Sequence, residues 1–247
     1  MINKFMNIIF IAMFVLLSIG QVALSDTTVT IGERPANSGS CEDNWVVTGA
    51  SSANNNGGSQ VGSIGDFLNA DMKSIIRFSW TGVIPSGSEV QSASIEFVVH
   101  NETASITASL YEFKDANNDW PEGTADGAAQ ANSSCHNDHT YNSVQEWAGG
   151  AGFAVAGTDY TNTVLGTVSM ASTGVKTMTL NAAGVAAFNR RIIEGHTDIE
   201  FIVVPNDYAT NHLSQWRSSE YAANTAQRVQ LTLTYRTYSQ PIVVVFP

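Results

Sequence analysis

Apolar and polar residues alternate along several segments of the chain. In residues 90–100 every second side chain is apolar, and the residues between them are mostly polar. A similar alternation of apolar and polar residues occurs at 106–113, 175–180 and 229–235. A period of two, with β-branched and aromatic side chains on the apolar face, is typical of half-buried strands. These four segments are therefore predicted to be strands with one face toward a core.

Two further segments are apolar with little alternation. Residues 199–204 form a nearly continuous apolar run, and residues 75–78 form a shorter one. A strand with such a run is typically covered on both faces. Clusters of Asn, Gly, Pro and Ser at 54–58 and 85–87 predict turns between the strands.

One segment departs from the β pattern. Asn181 is a good helix N-cap, and Val185, Phe188 and Ile192 then recur at positions i, i+3 and i+7. Gly195 follows where a helix commonly ends. The pattern as a whole predicts an all-β fold with one accessory α-helix at about 181–194, covering an open end of the strands.

The beginning of the chain predicts export. Lys4 precedes an apolar run at 8–19, and small residues at 23 and 25 are what a signal peptidase recognises. Residues 1–25 are therefore predicted to be a signal peptide, cleaved before Asp26, which makes the protein secreted or displayed at the cell surface. An uncleaved anchor is the weaker interpretation, because the apolar run is shorter than the ~20 residues that cross a bilayer. No membrane span is expected after cleavage.

Composition disfavours one class of partner. The chain has 22 acidic and 11 basic residues, for a formal net charge of −11. Nucleic-acid phosphates require surfaces rich in Lys and Arg, so no nucleic-acid partner is expected. Residues 26–238 show no Pro-rich or Gly/Ser-rich linker and are predicted to form one domain. Residues 239–247 follow as a short apolar tail.

Two cysteines are present, Cys41 and Cys135. A single pair in an exported protein favours a disulfide, which would close a loop of about a hundred residues and limit the freedom of the unfolded chain. Two free thiols are the alternative.

Five motifs together resemble a known family. They are IIRFSW at 75–80, IPSGSEVQSASI at 84–95, WPEGT at 120–124, RSSE at 217–220 and RVQLTLTY at 228–235. The chain resembles the DNRLRE-domain family, which are secreted β-sandwich modules related to an alginate-binding family of carbohydrate-binding modules. The resemblance implies a jelly-roll-type β-sandwich and a binding or structural role. The chain departs from the family at Ser79-Trp80, where Asp-Leu is usual.

The residues before the last strand are the first candidate for a binding site. They are Trp216, Arg217, Glu220 and Tyr221. An aromatic face can stack on a sugar, and an arginine can hold a carboxylate through two parallel hydrogen bonds. The alternative is an ion pair between Arg217 and either Glu220 or Glu122 that fixes the loop.

Trp120 and Glu122 lie in the WPEGT motif and are further ligand-binding candidates. The structural interpretation is favoured for this pair, with Trp120 packed at the edge of the sandwich and Glu122 capping a loop or pairing with an arginine. Arg77, inside a strand motif, is expected to pair with an acid.

A calcium site is a more plausible metal site than a zinc site at Cys135, His136 and His139, whose spacing matches no standard zinc pattern. Asp115, Asn117 and Asp119 place oxygen side chains at alternate positions of a predicted loop, as calcium sites often do. The spacing does not match an EF-hand, and ordinary turn chemistry is the favoured interpretation of such residues.

The predicted function is a non-catalytic binding or surface module, with an extracellular or cell-wall polysaccharide as its partner. One alternative is a structural subunit that assembles with copies of itself, for example through the apolar strand at 242–246. The other is a carbohydrate-active enzyme, although the sequence contains no recognisable hydrolase motif.

Overall fold

The computed structural model describes residues 25–34, 37–142, 145–153 and 155–238. The predicted tail at 239–247, and all of the predicted signal peptide except Ser25, lie outside the described residues. In the described part of the chain the strands are β1 (Asp26–Ile31), β2 (Ser40–Val47), β3 (Asn54–Asn55), β4 (Val61–Phe67), β5 (Ala70–Ser79), β6 (Glu89–Glu102), β7 (Thr107–Glu112), β8 (Ala128–Ala129), β9 (Asp138–Thr140), β10 (Gln145–Glu146), β11 (Gly166–Ser169), β12 (Gly174–Thr179), β13 (Asp198–Pro205), β14 (Leu213–Arg217) and β15 (Gln230–Arg236).

Helix α1 (Ala182–Ile193) follows β12, as the sequence predicted. The side chain of Asn181 caps it by accepting a hydrogen bond from the backbone N–H of Gly184 at 3.1 Å. Phe188 faces inward, with its ring 5.7 Å from Trp80 and 5.9 Å from Phe201. The prediction of an all-β, sandwich-like fold with one helix is confirmed. None of the described helices is long and apolar enough to cross a membrane.

Eleven strands form one large antiparallel sheet that curls into two layers. The front layer contains β1, β15, β6, β14 and β12, and the back layer contains β2, β5, β13, β7 and β11. Strand β4 joins the layers, because it pairs with β14 and then turns directly into β5. Side chains from both layers fill the main core between them, among them Phe97, Leu231 and Phe201.

The back layer is covered on both faces, as the apolar run at 199–204 predicted. Phe201 and Val203 face the main core, whereas Ile202 between them belongs to a second apolar cluster with Trp120 and Phe153. The long segment between β7 and β11 supplies most of this second cluster, and the strands in its described residues are the short β8, β9 and β10. We call residues 113–165 the outer segment.

Trp216 lies in the main core, which corrects the prediction that it stacks on a sugar. The side chain is fully buried, and its ring packs edge-on against Phe97 at 5.0 Å. Strand β14 runs between β4 and β6, so its alternate side chains point inward rather than to solvent. Gly62 on β4 leaves the necessary space, since a Cβ there would lie 2.4 Å from the indole nitrogen.

The predicted disulfide is not present, and both cysteines are buried free thiols. Cys41 faces the main core from β2, whereas Cys135 lies in the outer segment. The neighbouring Ser134 accepts a hydrogen bond from Asn44, three residues farther along β2. Because residues 41 and 44 differ by an odd number of positions, their side chains point to opposite faces of β2, and the segment at 134–135 lies on the face away from Cys41.

Replacing Trp216 tests its assignment to the core. We expect Trp216→Ala to lower the free energy of unfolding by about 3–5 kcal/mol, because it leaves a large cavity. Urea denaturation followed by circular dichroism measures the change. Val175→Ala is the matched control, since Val175 is 60% exposed and its truncation should change stability by less than ~0.5 kcal/mol. A Trp216→Ala protein as stable as this control would place the indole outside the core.

Alkylation tests the free thiols. Protein unfolded in guanidinium without reductant should take up two alkyl groups, as measured by intact mass, because Cys41 and Cys135 are unpaired. Native protein should react slowly, since both thiols are buried and burial raises the pKa of each. Labelling that appears only after reduction would show that the thiols are bridged.

Candidate functional site

The turn after β14 is fixed to a neighbouring loop by Ser218. Its hydroxyl donates to the carbonyl of Ser59 at 2.7 Å, and its backbone N–H donates to the carbonyl of Gln60 at 3.3 Å. The N–H of Tyr221 then donates back to the carbonyl of Ser218 at 3.3 Å, which closes the turn. Tyr221 is thereby held next to the last residue of β14, Arg217.

Arg217 lies flat over the ring of Tyr221, with the guanidinium carbon 4.0 Å from the ring centroid. This is a close cation–π contact, and it fixes the plane of the guanidinium. Among the described residues, none forms an ion pair with Arg217, and its Nε–H is enclosed without a hydrogen-bond acceptor. The predicted alternative, an ion pair with Glu220 or Glu122, is therefore wrong.

His100 contributes to the surroundings of Arg217. Burial lowers the pKa of His100, and the positive charge of Arg217 lowers it further. Its Nε2 is also enclosed and has no partner within the part of the chain described. Arg217 is thus a half-buried cation beside an imidazole that is kept neutral at neutral pH, in a protein whose formal net charge is −11.

Side chains cap the outer edge of β2, the strand that forms one border of the back layer. The backbone N–H of Cys41 donates to Glu33 at 3.4 Å, and that of Asp43 donates to Glu122 Oε1 at 2.6 Å. The carbonyl of Trp45 accepts from Asn56 Nδ2 at 2.7 Å. The prediction that Glu122 caps a backbone group, rather than facing a ligand, agrees with this contact.

Three acids converge beside this edge, and we call Asp43, Glu122 and Glu220 the carboxyl cluster. Asp43 is almost fully buried and accepts from the backbone N–H of Ser219 at 2.7 Å. The hydroxyl of Ser219 donates in turn to Glu220 at 2.8 Å. The cluster thus connects β2, the WPEGT motif and the turn after β14. Glu122 and Glu220 were named from the sequence, whereas Asp43 gave no signal of its own there.

Burial raises the pKa of all three carboxyl groups. The pKa of Glu122 rises to about 9, first because the group is desolvated and then because Glu220 and Asp43 are close. Desolvation likewise raises the pKa of Glu220 and Asp43, while Arg228 lowers both. The cluster therefore holds protons near neutral pH, which lowers the repulsion among its members.

Trp120 is buried in the second apolar cluster, so it does not present a face to a ligand as the binding hypothesis required. The guanidinium of Arg77 lies 5.1 Å from its ring. Arg77 pairs with Glu42 and, at 3.0 Å, with Glu200, which confirms its predicted structural role.

Two of the three residues proposed for calcium have other side-chain partners. Asn117 is fully buried and donates to Asp159 while accepting from the N–H of Ala148. Asp115 pairs with Arg191 at 3.2 Å, so a guanidinium supplies the positive charge that a metal would bring. Asp119 is exposed. Across the described ranges, no group of three or more His, Cys, Asp or Glu residues is arranged to hold a metal ion.

Sequence reasoning missed a surface groove beside the end of β2. Its volume is about 500 Å³, and we call it the Trp45 groove after its lining residues Trp45, Thr48, Asn54, Phe67, Leu68 and Asn69. The sequence showed only a turn at 54–58 and gave no reason to place it next to the hairpin between β4 and β5.

Comparison with known proteins adds no relative: no protein-family model matches the chain, and no curated protein matches it. The resemblance to the DNRLRE-domain family stays a prediction based on the five motifs.

Stability should fall as pH rises, because of the carboxyl cluster. Between the ordinary pKa of 4.5 and the folded value of about 9, Glu122 is protonated in the folded chain and ionised in the unfolded chain. Unfolding then releases a proton, so a higher pH favours the unfolded state. We expect the melting temperature to fall from pH 5 to pH 9 by calorimetry, and Glu122→Gln to reduce this fall.

The glutamine can still accept the hydrogen bond from Asp43, so its folded structure should be unchanged. Glu146→Gln, at an exposed position, controls for the loss of one negative charge. A Glu122→Gln protein that is less stable than the wild type at pH 9 would contradict the raised pKa of Glu122.

Proposed function

We propose that this chain is a secreted, non-catalytic module that binds an acidic polysaccharide, with Arg217 and Tyr221 as its contact. The observation that carries the proposal is the stacked guanidinium of Arg217, which has no acidic partner among the described residues. The predicted signal peptide and the resemblance to secreted carbohydrate-binding modules support export and a glycan partner.

The chemistry of Arg217 suits a carboxylate or sulfate on a sugar. A guanidinium can donate two parallel hydrogen bonds to such a group, and these bonds are stronger than those between neutral partners. Tyr221 holds the guanidinium plane, which reduces the entropy lost when the ligand binds. Tyr221 is itself half-buried, so part of it can contact the ligand.

The charge of the whole protein makes this contact selective. A net charge of −11 disfavours nonspecific adsorption of polyanions. The other arginines attract an anion less strongly than Arg217 does, because Arg228 donates to the carbonyls of Tyr221 and Glu33 and the rest are paired with acids, namely Arg34, Arg77, Arg190, Arg191 and Arg236. A polyanion should therefore bind at Arg217 rather than across the surface.

The raised pKa values of Glu122 and Glu220 are a reason to consider a catalytic role, which is the alternative to this proposal. Carboxyl groups with raised pKa values occur at acid–base catalytic sites. Here Glu122 accepts from a backbone N–H at the edge of β2, and Glu220 accepts from Ser219. These hydrogen bonds lower the two pKa values, whereas desolvation and the closeness of the other acids raise them, so the shifts are explained without a substrate.

Titration calorimetry with an acidic hexasaccharide, hexagalacturonate, tests the proposal. We expect saturable binding, and a loss of roughly 10- to 100-fold in affinity for Arg217→Ala, since hydrogen bonds between charged groups contribute about 1.5–3 kcal/mol. Arg217→Lys should also bind weakly, because an ammonium cannot form the two parallel bonds.

Arg236→Ala is the matched control, because Arg236 is also partly exposed but already pairs with Asp26. Equal binding by the wild type and Arg217→Ala would overturn the proposal, and so would the absence of binding to a broad panel of acidic glycans. Growth of particles with protein concentration in light scattering, without glycan, would instead favour the self-assembling subunit.

A further inference from the structure

The Trp45 groove is a second concave surface, and Arg217 does not line it. In strand β4, Val61 pairs with Arg217, whereas Phe67 at the other end of the strand lines the groove. Six strand residues at ~3.3 Å each separate these positions by roughly 20 Å. A ligand of the groove is therefore recognised by different side chains from those that surround Arg217.

No charged side chain is found among the described residues that line the groove. This is notable on a protein with 22 acidic and 11 basic residues. An ionic ligand would lose water in the groove without gaining an opposite charge, which is unfavourable. The lining is therefore complementary to an uncharged ligand.

One wall of the groove is an exposed apolar tip. Phe67 is 49% exposed and Leu68 is 68% exposed, at the turn between β4 and β5. The turn is held by Asp66, whose carboxylate accepts from the N–H groups of Asn69 at 3.2 Å and Asn211 at 3.0 Å. The apolar tip is thus fixed in place before any ligand arrives.

Amide and hydroxyl side chains lie beside this apolar surface. Thr48, Asn54 and Asn69 line the groove, and the side chain of Asn54 is held by the carbonyl of Gly127 at 2.8 Å. The indole Nε1–H of Trp45 is enclosed and lacks an acceptor within the described chain. The side chain as a whole is only half-buried, so its ring can contact a ligand in the groove although its N–H stays enclosed.

We infer that the Trp45 groove binds uncharged sugar residues of a glycan. A sugar ring has an apolar C–H face and a periphery of hydroxyl groups, and the groove has an aromatic and aliphatic wall beside uncharged hydrogen-bonding groups. The C–H face packs on Phe67 and Trp45. The hydroxyls bond to Thr48, Asn54 and Asn69. This inference does not depend on acidic glycan binding at Arg217.

Titration calorimetry of the full protein with neutral hexasaccharides (cellohexaose, xylohexaose and mannohexaose) tests the inference. At least one should bind saturably, and Phe67→Ala should weaken it by about tenfold or more, as the loss of an aromatic anchor does. Trp45→Phe replaces the indole by a smaller ring, which loses part of the contact with the sugar, and it should weaken binding by about two- to tenfold. Val175→Ala, also an exposed apolar position, should bind like the wild type.

These experiments test the two proposed glycan sites independently of each other. Loss of neutral binding in Phe67→Ala but not in Arg217→Ala supports the groove, whatever hexagalacturonate does. The inference is overturned if none of the three neutral probes binds at millimolar concentration. It is also overturned if Phe67→Ala and Trp45→Phe both bind as tightly as the wild type. Phe67 and Leu68 are exposed, so unchanged melting temperatures should exclude unfolding as the cause.

Discussion

Strands β5 and β13 have apolar side chains on both faces, and both faces must be kept from water. The front layer covers one face and forms the main core. The other face needs the outer segment, which contributes Trp120, Trp147 and Phe153. Because this segment has little regular structure, side chains fix it to the sheet, including Asn44 to Ser134 and Asn117 to Asp159. The charged row of Glu42, Arg77 and Glu200 crosses three adjacent strands beneath it.

This arrangement also determines which charges remain for binding. Glu122 reaches β2 from the outer segment, and Glu220 reaches the same edge from the turn after β14. Neither acid pairs with Arg217, which stacks on Tyr221 instead. Glu122 and Glu220 are held in the carboxyl cluster by other donors, so Arg217 is left without an ion pair.

Local patterns in the sequence were enough to predict the strands and the helix. The alternation at 90–100 and the run at 199–204 correspond to β6 and β13, and Asn181 caps α1. Contacts between distant segments were not predictable in this way. Nothing local shows that Trp216 points inward from β14, or that Cys41 and Cys135 lie on opposite sides of β2. The Trp45 groove lies between two turns that each have an ordinary turn sequence. Asp43 lies close to Glu122 and Glu220 only because the sheet curls.

The capped border of β2 has a consequence for how copies of this protein can meet. An open strand edge is a template on which another chain can add a strand, and such additions lead to fibres. On β2 the outward N–H groups of Cys41 and Asp43 are already bonded to Glu33 and Glu122. An incoming strand would have to displace two carboxyl groups and bury its own backbone beside a third acid, Asp43. Glu33 and Glu122 therefore protect this border against the addition of a strand from another copy.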